Sequence, residues 1–262
     1  MMQTFNLFTN KPDALLEGKA DFVLATKELP KTPNGLSTLA LISRAVHNLD
    51  AFSSVEILDL GLDVEAKEVF AKGMTFGKSY ELKGNYLILG ESILEGIRVA
   101  TDIALVLEND VLEDKSNFEK LSLVSDRTLI FCAGFLLEAS RRFHVVLAGG
   151  IQMAVCLLIA DKLREDVLMR VKSDNITLAT TVWATQDKSA NIKQILEQLS
   201  YKPHAVYTTF SFAEAEIPIL QKYDESEAQD GVGAGGCLAY AVTQGRTNKE
   251  VLDAIELIIY MM

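Results

Sequence analysis

Cysteine is scarce in this chain. Cys132, Cys156 and Cys237 are its three cysteines, with no CxxC pair and no even count, and each lies in an apolar run. This excludes a disulfide framework and leaves buried thiols in a reducing cytoplasm as the simplest account. Histidine is equally thin: His47, His144 and His204 stand apart among poorly ligating neighbours, so no metal and no cofactor is expected. Basic residues are outnumbered, 25 Lys and Arg against 36 Asp and Glu, for a formal net charge of −11. A protein that grips nucleic acid or an anionic membrane needs a positive face, and both partners are excluded on that ground. A phosphate-bearing small molecule is not, because a local cradle of N–H groups outweighs a distant negative field. No apolar run is long enough to span a bilayer; the best, Val145 to Ala160, is interrupted by Gly149, Gly150 and Gln152. Met1 to Asn10 shows neither a basic stretch nor an apolar core, so no signal peptide is expected and the location expected is cytoplasmic. Repeats and low-complexity linkers are absent as well, which argues for one domain over 1–262, with the chain ends available for a small helical subdomain.

What is present is an alternation of two patterns. Short runs rich in β-branched and aromatic residues, Asp21–Ala25, Val55–Leu60, Tyr86–Leu89, Phe143–Ala148, Ile176–Thr181 and Ala205–Phe210, read as strands. Helical spacing fills the gaps: Leu36, Leu39, Ile42, Ala45, Val46 and Leu49 share one face after Pro33-Asn34-Gly35, and a second helix is expected from Glu65 to about Tyr80. In that second helix Gly73 and Gly77, four apart, admit a close neighbour. Ser189 or Asp187 is placed to cap a helix carrying Ile192, Ile195, Leu196 and Leu199, and Thr247 with Glu250 forms a capping box for the last helix. The fold class is therefore α/β: three layers, a mostly parallel Rossmann-like sheet with helices on both faces, and a small helical part from the chain ends.

Ligands of parallel sheets bind where strands end and helix N-termini converge. Three strand ends carry suitable residues: Gly90-Glu91-Ser92, Gly149-Gly150 leading into a helix, and Thr180-Thr181. A fourth element is Ala228-Gln229-Asp230-Gly231-Val232-Gly233-Ala234-Gly235-Gly236, whose glycines let successive N–H groups turn inward around an anion or a flat ring, with Asp230 at the lip. Gly231, Gly233 and Gly236 also spell GxGxxG. The acidic run before them, Tyr223 to Glu227, is no buried strand, and too little chain follows for a βαβ unit, so a dinucleotide turn is rejected. Each element has a structural alternative: a tight packing turn for the glycine loop, a helix folding back on its strand for Gly149-Gly150, ordinary β-residues for Thr180 and Thr181, and an exposed cap for Glu91.

Thr32-Pro33-Asn34-Gly35 before the Arg44 helix, Gly90-Glu91-Ser92, Asp126 with the Ala133-Gly134 helix, Leu147 to Met153, Ala179 to Trp183, and Asp230 to Gly236 occur in one order. Together they resemble the nicotinate-nucleotide:dimethylbenzimidazole phosphoribosyltransferases, in particular the shorter archaeal-type branch. The resemblance implies transfer of phosphoribose from nicotinate mononucleotide to a benzimidazole-type base, giving the nucleotide later used as the lower ligand of cobamides, by a cytoplasmic homodimer. It places Asp230 where the family has its general-base glutamate and Glu91 beside the nucleotide. Gly90, Ser92, Gly149, Gly150, Thr180, Thr181, Gly231, Gly233 and Gly235 would surround nucleotide and phosphate. Two departures stand out: aspartate is one methylene shorter than glutamate, and Ser92-Ile93-Leu94-Glu95-Gly96-Ile97-Arg98 replaces a glycine- and threonine-rich run. Arg98 is the residue available to meet a phosphate there. The alternative reading is a weak or inactive homologue that binds a nucleotide or base as a sensor or partner subunit.

Overall fold

The computed structural model describes residues 2–27, 38–61, 64–93, 95–108, 110–187, 191–225 and 233–261. Seven strands form one sheet: β1 (Thr4–Asn6), β2 (Ala20–Thr26), β3 (Ser54–Asp59), β4 (Tyr86–Ser92), β5 (Val145–Ala148), β6 (Ile176–Thr181) and β7 (His204–Thr208). Their order is β1-β7-β6-β5-β4-β2-β3, with every pairing parallel except β1 against β7. The helices are α1 (Thr38–Leu49), α2 (Ala66–Ser79), α3 (Gly96–Glu108), α4 (Asn117–Leu121), α5 (Thr128–Ala139), α6 (Ile151–Leu163), α7 (Val182–Gln186), α8 (Ile192–Glu197), α9 (Pro218–Gln221), α10 (Ala234–Thr243) and α11 (Asn248–Tyr260). All six expected strands form. β1 is the one the sequence pattern does not announce, because three residues are too few to show a period.

The α/β class follows from how the two faces are covered. Strands β5 and β6 are buried at every position and do not alternate, as expected where helices lie on both sides, whereas the edge strand β3 alternates between half-buried and exposed. Odd positions of β4 such as Leu87 and Leu89 join one core with α2, α3, α5 and α6; even positions such as Tyr86 and Ile88 join the other with α1, α10 and α11. Helices α5 and α6 are buried all round except at Glu138 and Lys162, so they show little amphipathic pattern.

The closest packing joins α2 to α5. A Cβ on Gly73 would fall 2.1 Å from the Phe131 carbonyl oxygen, and one on Gly134 would fall 2.2 Å from that of Phe70. Gly77 is equally constrained, 2.5 Å from the Phe135 oxygen. The expected close neighbour of Gly73 and Gly77 is thus α5, and backbone touches backbone along the crossing. Arg142 donates to the carbonyls of Lys78 (2.7 Å) and Tyr80 (2.9 Å), satisfying acceptors at the open end of α2. Asn191, rather than Asp187, caps α8 by accepting from the Gln194 N–H at 3.2 Å; Ser189 lies outside the described residues. The capping box of α11 forms as expected from Thr247 and Glu250.

From β2 the chain moves outward to β3, returns across β2 to β4, and then runs through β5 and β6 to β7. The direction of winding reverses between β2 and β4. The carboxyl ends of those two strands therefore open between diverging connections, which is where a doubly wound sheet holds its ligand.

Candidate functional site

Register brings the predicted residues to one level of the sheet. Leu24, Gly90, Ala148 and Ala179 lie side by side across β2, β4, β5 and β6. One step further, Glu91 pairs with Ala25 and Thr180 with Tyr207; beyond that, Ser92 pairs with Thr26 and Thr181 with Thr208. β4 runs on through Gly90-Glu91-Ser92 instead of stopping at Leu89, because β2 is long enough to pair with it to the end. The Thr26 hydroxyl donates to the Ser92 carbonyl at 3.1 Å and closes the β2/β4 edge there.

The row Gly90, Ala148, Ala179 has almost no side chain, and α10 descends onto it. A Cβ on Gly235 would meet the Ala179 carbonyl oxygen at 2.3 Å and the Thr180 Cα at 2.5 Å, and one on Gly236 would meet the Ala148 Cβ at 2.5 Å. Gly233 caps the helix with φ +78, and a side chain there would strike the Phe22 ring at 2.5 Å. Gly235 and Gly236 thus serve as packing glycines that bring the start of α10 down onto the strand ends. Asp230 and Gly231 lie outside the described residues.

Glu91 is 1 % exposed and points to the opposite face, among α5 and α6. Burial raises the thiol pKa of Cys132 and Cys156, and the nearby Glu91 carboxylate adds to both shifts. Asp126 is buried in the same region and accepts from the N–H of Thr128, the first residue of α5, at 2.8 Å. Gly149 donates its N–H to the Ala179 carbonyl at 3.1 Å, and Gly150 opens α6 without a side chain to cap it, so the first N–H groups of that helix face the carboxyl end of the sheet. Gln152, 4 % exposed, reaches across to the start of α3, where a Cβ on Gly96 would stand 2.8 Å from its amide nitrogen. The Thr181 hydroxyl accepts from the Ala184 N–H at 3.3 Å and caps α7.

Arg98 is differently engaged. Its guanidinium binds Glu95, just before α3, at 2.5 Å and faces Asp102 in that helix at 3.6 Å, all three side chains being exposed. Thr32-Pro33-Asn34-Gly35 lies outside the described residues, and Arg44 is exposed on α1. No His, Cys, Asp and Glu group of three is placed to hold a metal among the described residues.

Sequence reasoning missed Asp224. Its carboxylate accepts from the Trp183 indole N–H (2.9 Å), the Ser211 hydroxyl (2.7 Å) and the Phe212 N–H (2.8 Å), tying α7 to the segment after β7. Asn248 holds Ser211 by both backbone groups, and Glu256 accepts from the Ile217 N–H at 3.1 Å, so α11 fastens the same segment from behind. An aspartate in an acidic run gives no sequence signal for this, since its partners are 13 and 41 positions away.

No protein-family model matches the chain. It is similar to proteins named UPF0284, a name that states no activity: 28% identical over 79% of the chain to one from Microcystis aeruginosa, and 26% identical over 95% to one from Sulfurisphaera tokodaii. The chain spans 64% of the length of the former, just under two thirds, and 84% of the latter. Among solved structures it is similar to a nicotinate-nucleotide-dimethylbenzimidazole phosphoribosyltransferase from Thermus thermophilus, at 13% identity and TM-score 0.48 over 93% of this chain and 84% of that one. A likeness of that degree carries no residue roles across.

Proposed function

We propose that this protein transfers phosphoribose from nicotinate mononucleotide to a benzimidazole-type base, supplying the nucleotide of a cobamide lower ligand. The observation that carries the reading is that Glu91 and Ser92 at the β2/β4 reversal, the uncapped start of α6 at Gly150, and α10 seated through Gly233, Gly235 and Gly236 all lie at the carboxyl end of the sheet, Glu91 toward α5 and α6 and α10 on the other face. In this reading the nucleotide phosphate meets backbone N–H groups, with no guanidinium from Arg98. The bond between ribose C1′ and the pyridinium nitrogen breaks, nicotinate leaves with the electron pair, and a nitrogen of the acceptor base bonds to C1′. The acceptor gives up its N–H proton to Asp230, the carboxylate that stands for the family's general base. Glu91 lies beside the nucleotide, and the enzyme works as a single-domain homodimer in the cytoplasm.

The test is release of nicotinate from nicotinate mononucleotide with 5,6-dimethylbenzimidazole and a panel of related bases. Base-dependent release is expected, and Asp230→Ala should abolish it while keeping most of the nucleotide affinity. One observation favours a second reading, a homologue that binds without turnover: Arg98 is spent on Glu95 and Asp102. Saturable nucleotide binding with no release would establish that reading; neither release nor binding would sink both.

A further inference from the structure

At the opposite, amino-terminal end of the sheet, four side chains form an unbroken hydrogen-bond chain. Asp13 Oδ2 lies 2.9 Å from His204 Nε2, His204 Nδ1 lies 2.9 Å from Thr177 Oγ1, and the same oxygen lies 2.9 Å from His144 Nε2. The order acid, imidazole, hydroxyl is that of an activated nucleophile, but Thr177 is 1 % exposed and shut in by a second imidazole, so it attacks nothing. Register places the group: Thr177 pairs with His204 across β6 and β7, and His144 immediately precedes β5. Asp13 belongs to the N-terminal segment, which covers the outer edge of β7 through β1. Asn6 ties it to that strand by donating to Asp13 at 3.1 Å, and Leu7 donates to the Ala205 carbonyl at 2.8 Å.

A hydroxyl has one proton and two imidazoles to serve, so Thr177 donates to one and accepts from the other. With His204 neutral, its Nε2–H donates to Asp13, its Nδ1 accepts from Thr177, and His144 donates to Thr177. With His204 protonated, its Nδ1–H donates to Thr177, and the Thr177 O–H turns to His144, whose proton must then sit on Nδ1. We propose that Asp13, His204, Thr177 and His144 are a one-proton relay that latches the N-terminal segment to the sheet and reverses direction as a unit when His204 changes charge. The first proton sits beside Asp13 and tightens the latch. A second proton, on His144, would leave two cations donating to one oxygen, and the latch opens, baring the β7 edge that β1 covers. Burial, and after it the neighbouring His204, holds His144 down at about 4, in keeping with a chain that resists a second proton. The charged groups on the surrounding elements are Lys11 beside Asp13, Lys202 over the Phe8 ring, Asp174 before β6, and Arg142, which is committed to the end of α2.

Ring-nitrogen NMR of the full chain between pH 8 and pH 5, with amide exchange of residues 4–6, tests this. The expected result is that His144 moves its proton from Nε2 to Nδ1, remaining neutral, as His204 gains charge. Thr177→Val should uncouple the two rings and speed exchange in β1 about tenfold, the loss of about one hydrogen bond, while Thr177→Ser keeps both. Should the valine variant fail to fold, the wild-type tautomer titration and Asp13→Asn, which should loosen β1 alone, still decide. A His144 tautomer that stays fixed while His204 titrates, or β1 exchange indifferent to Thr177→Val, overturns the proposal.

Discussion

At Gly233 two constraints meet, and they are independent. The backbone is left-handed, and the space a Cβ would need holds the Phe22 ring. Gly233→Ala should therefore cost about 2–4 kcal/mol in urea unfolding, more than backbone strain alone, and, on the proposed function, weaken nucleotide binding in calorimetry. Asp224 makes a second residue-scale case. Alanine there removes the acceptor shared by the Trp183 indole N–H, the Ser211 hydroxyl and the Phe212 N–H. Since a typical hydrogen bond contributes about 0.5–1.5 kcal/mol net and more to a charged acceptor, Asp224→Ala should lower the melting temperature. Trp183 is the one tryptophan of the sequence, so its emission should also shift to the red as its pocket loosens; an unchanged spectrum would show that the indole hydrogen bond does not hold α7.

Among the elements, the α2–α5 pair is the most demanding, because its glycines leave no room for even one methyl group. Gly134→Ala pushes a Cβ against the Phe70 carbonyl and should destabilise by about 3 kcal/mol, the upper part of the usual overpacking range. Its readout is the denaturation midpoint. Gly245, with nothing within 4 Å of its Cβ position, is the control for crowding, its alanine variant carrying only backbone strain. The sequence announced this crossing through the four-residue spacing of Gly73 and Gly77 but not the identity of the partner. α5 and α6 are buried nearly all round, and a helix without a broad polar face shows no preferred direction to a sequence reader.

Over the whole molecule, the two ends of the sheet divide the work. The carboxyl end gathers glycines, hydroxyls and Glu91, while the amino end gathers the part-buried polar chain that ties down the segment of the edge strand β1. His144 is one group there whose charge bears on stability. Its folded pKa of about 4 lies below its ordinary value of 6.5, so its neutral form stabilises the fold fully above about pH 6.5 and that stability is lost as the pH falls toward 4. Asp13 acts lower down: burial opposes its charge, but hydrogen bonds from His204, Asn6 and Ala14 outweigh it and hold its pKa below 3.8, so its share is lost only as the pH falls further. Unfolding free energy measured from pH 8 to pH 4 should decline through the His144 window, and His144→Gln should flatten that decline. A wild-type profile level between 6.5 and 4 would contradict the shift.

Residue order alone was enough to place the six parallel strands, the α/β class, the ends of several helices and the strand ends where glycine, carboxylate and hydroxyl collect. These are local properties, fixed by side-chain period and by capping chemistry within a few residues. It took the folded chain to establish that Gly235 and Gly236 are pressed into the sheet, that Glu91 faces α5 and α6 while Gly90 faces α10, that Arg98 pairs with Glu95 and Asp102, and that Asp13, His144, Thr177 and His204 form one chain. Most of those outcomes depend on strand order, register and the layer that covers each face. They are set by contacts between residues tens to nearly two hundred positions apart, to which a local period is blind.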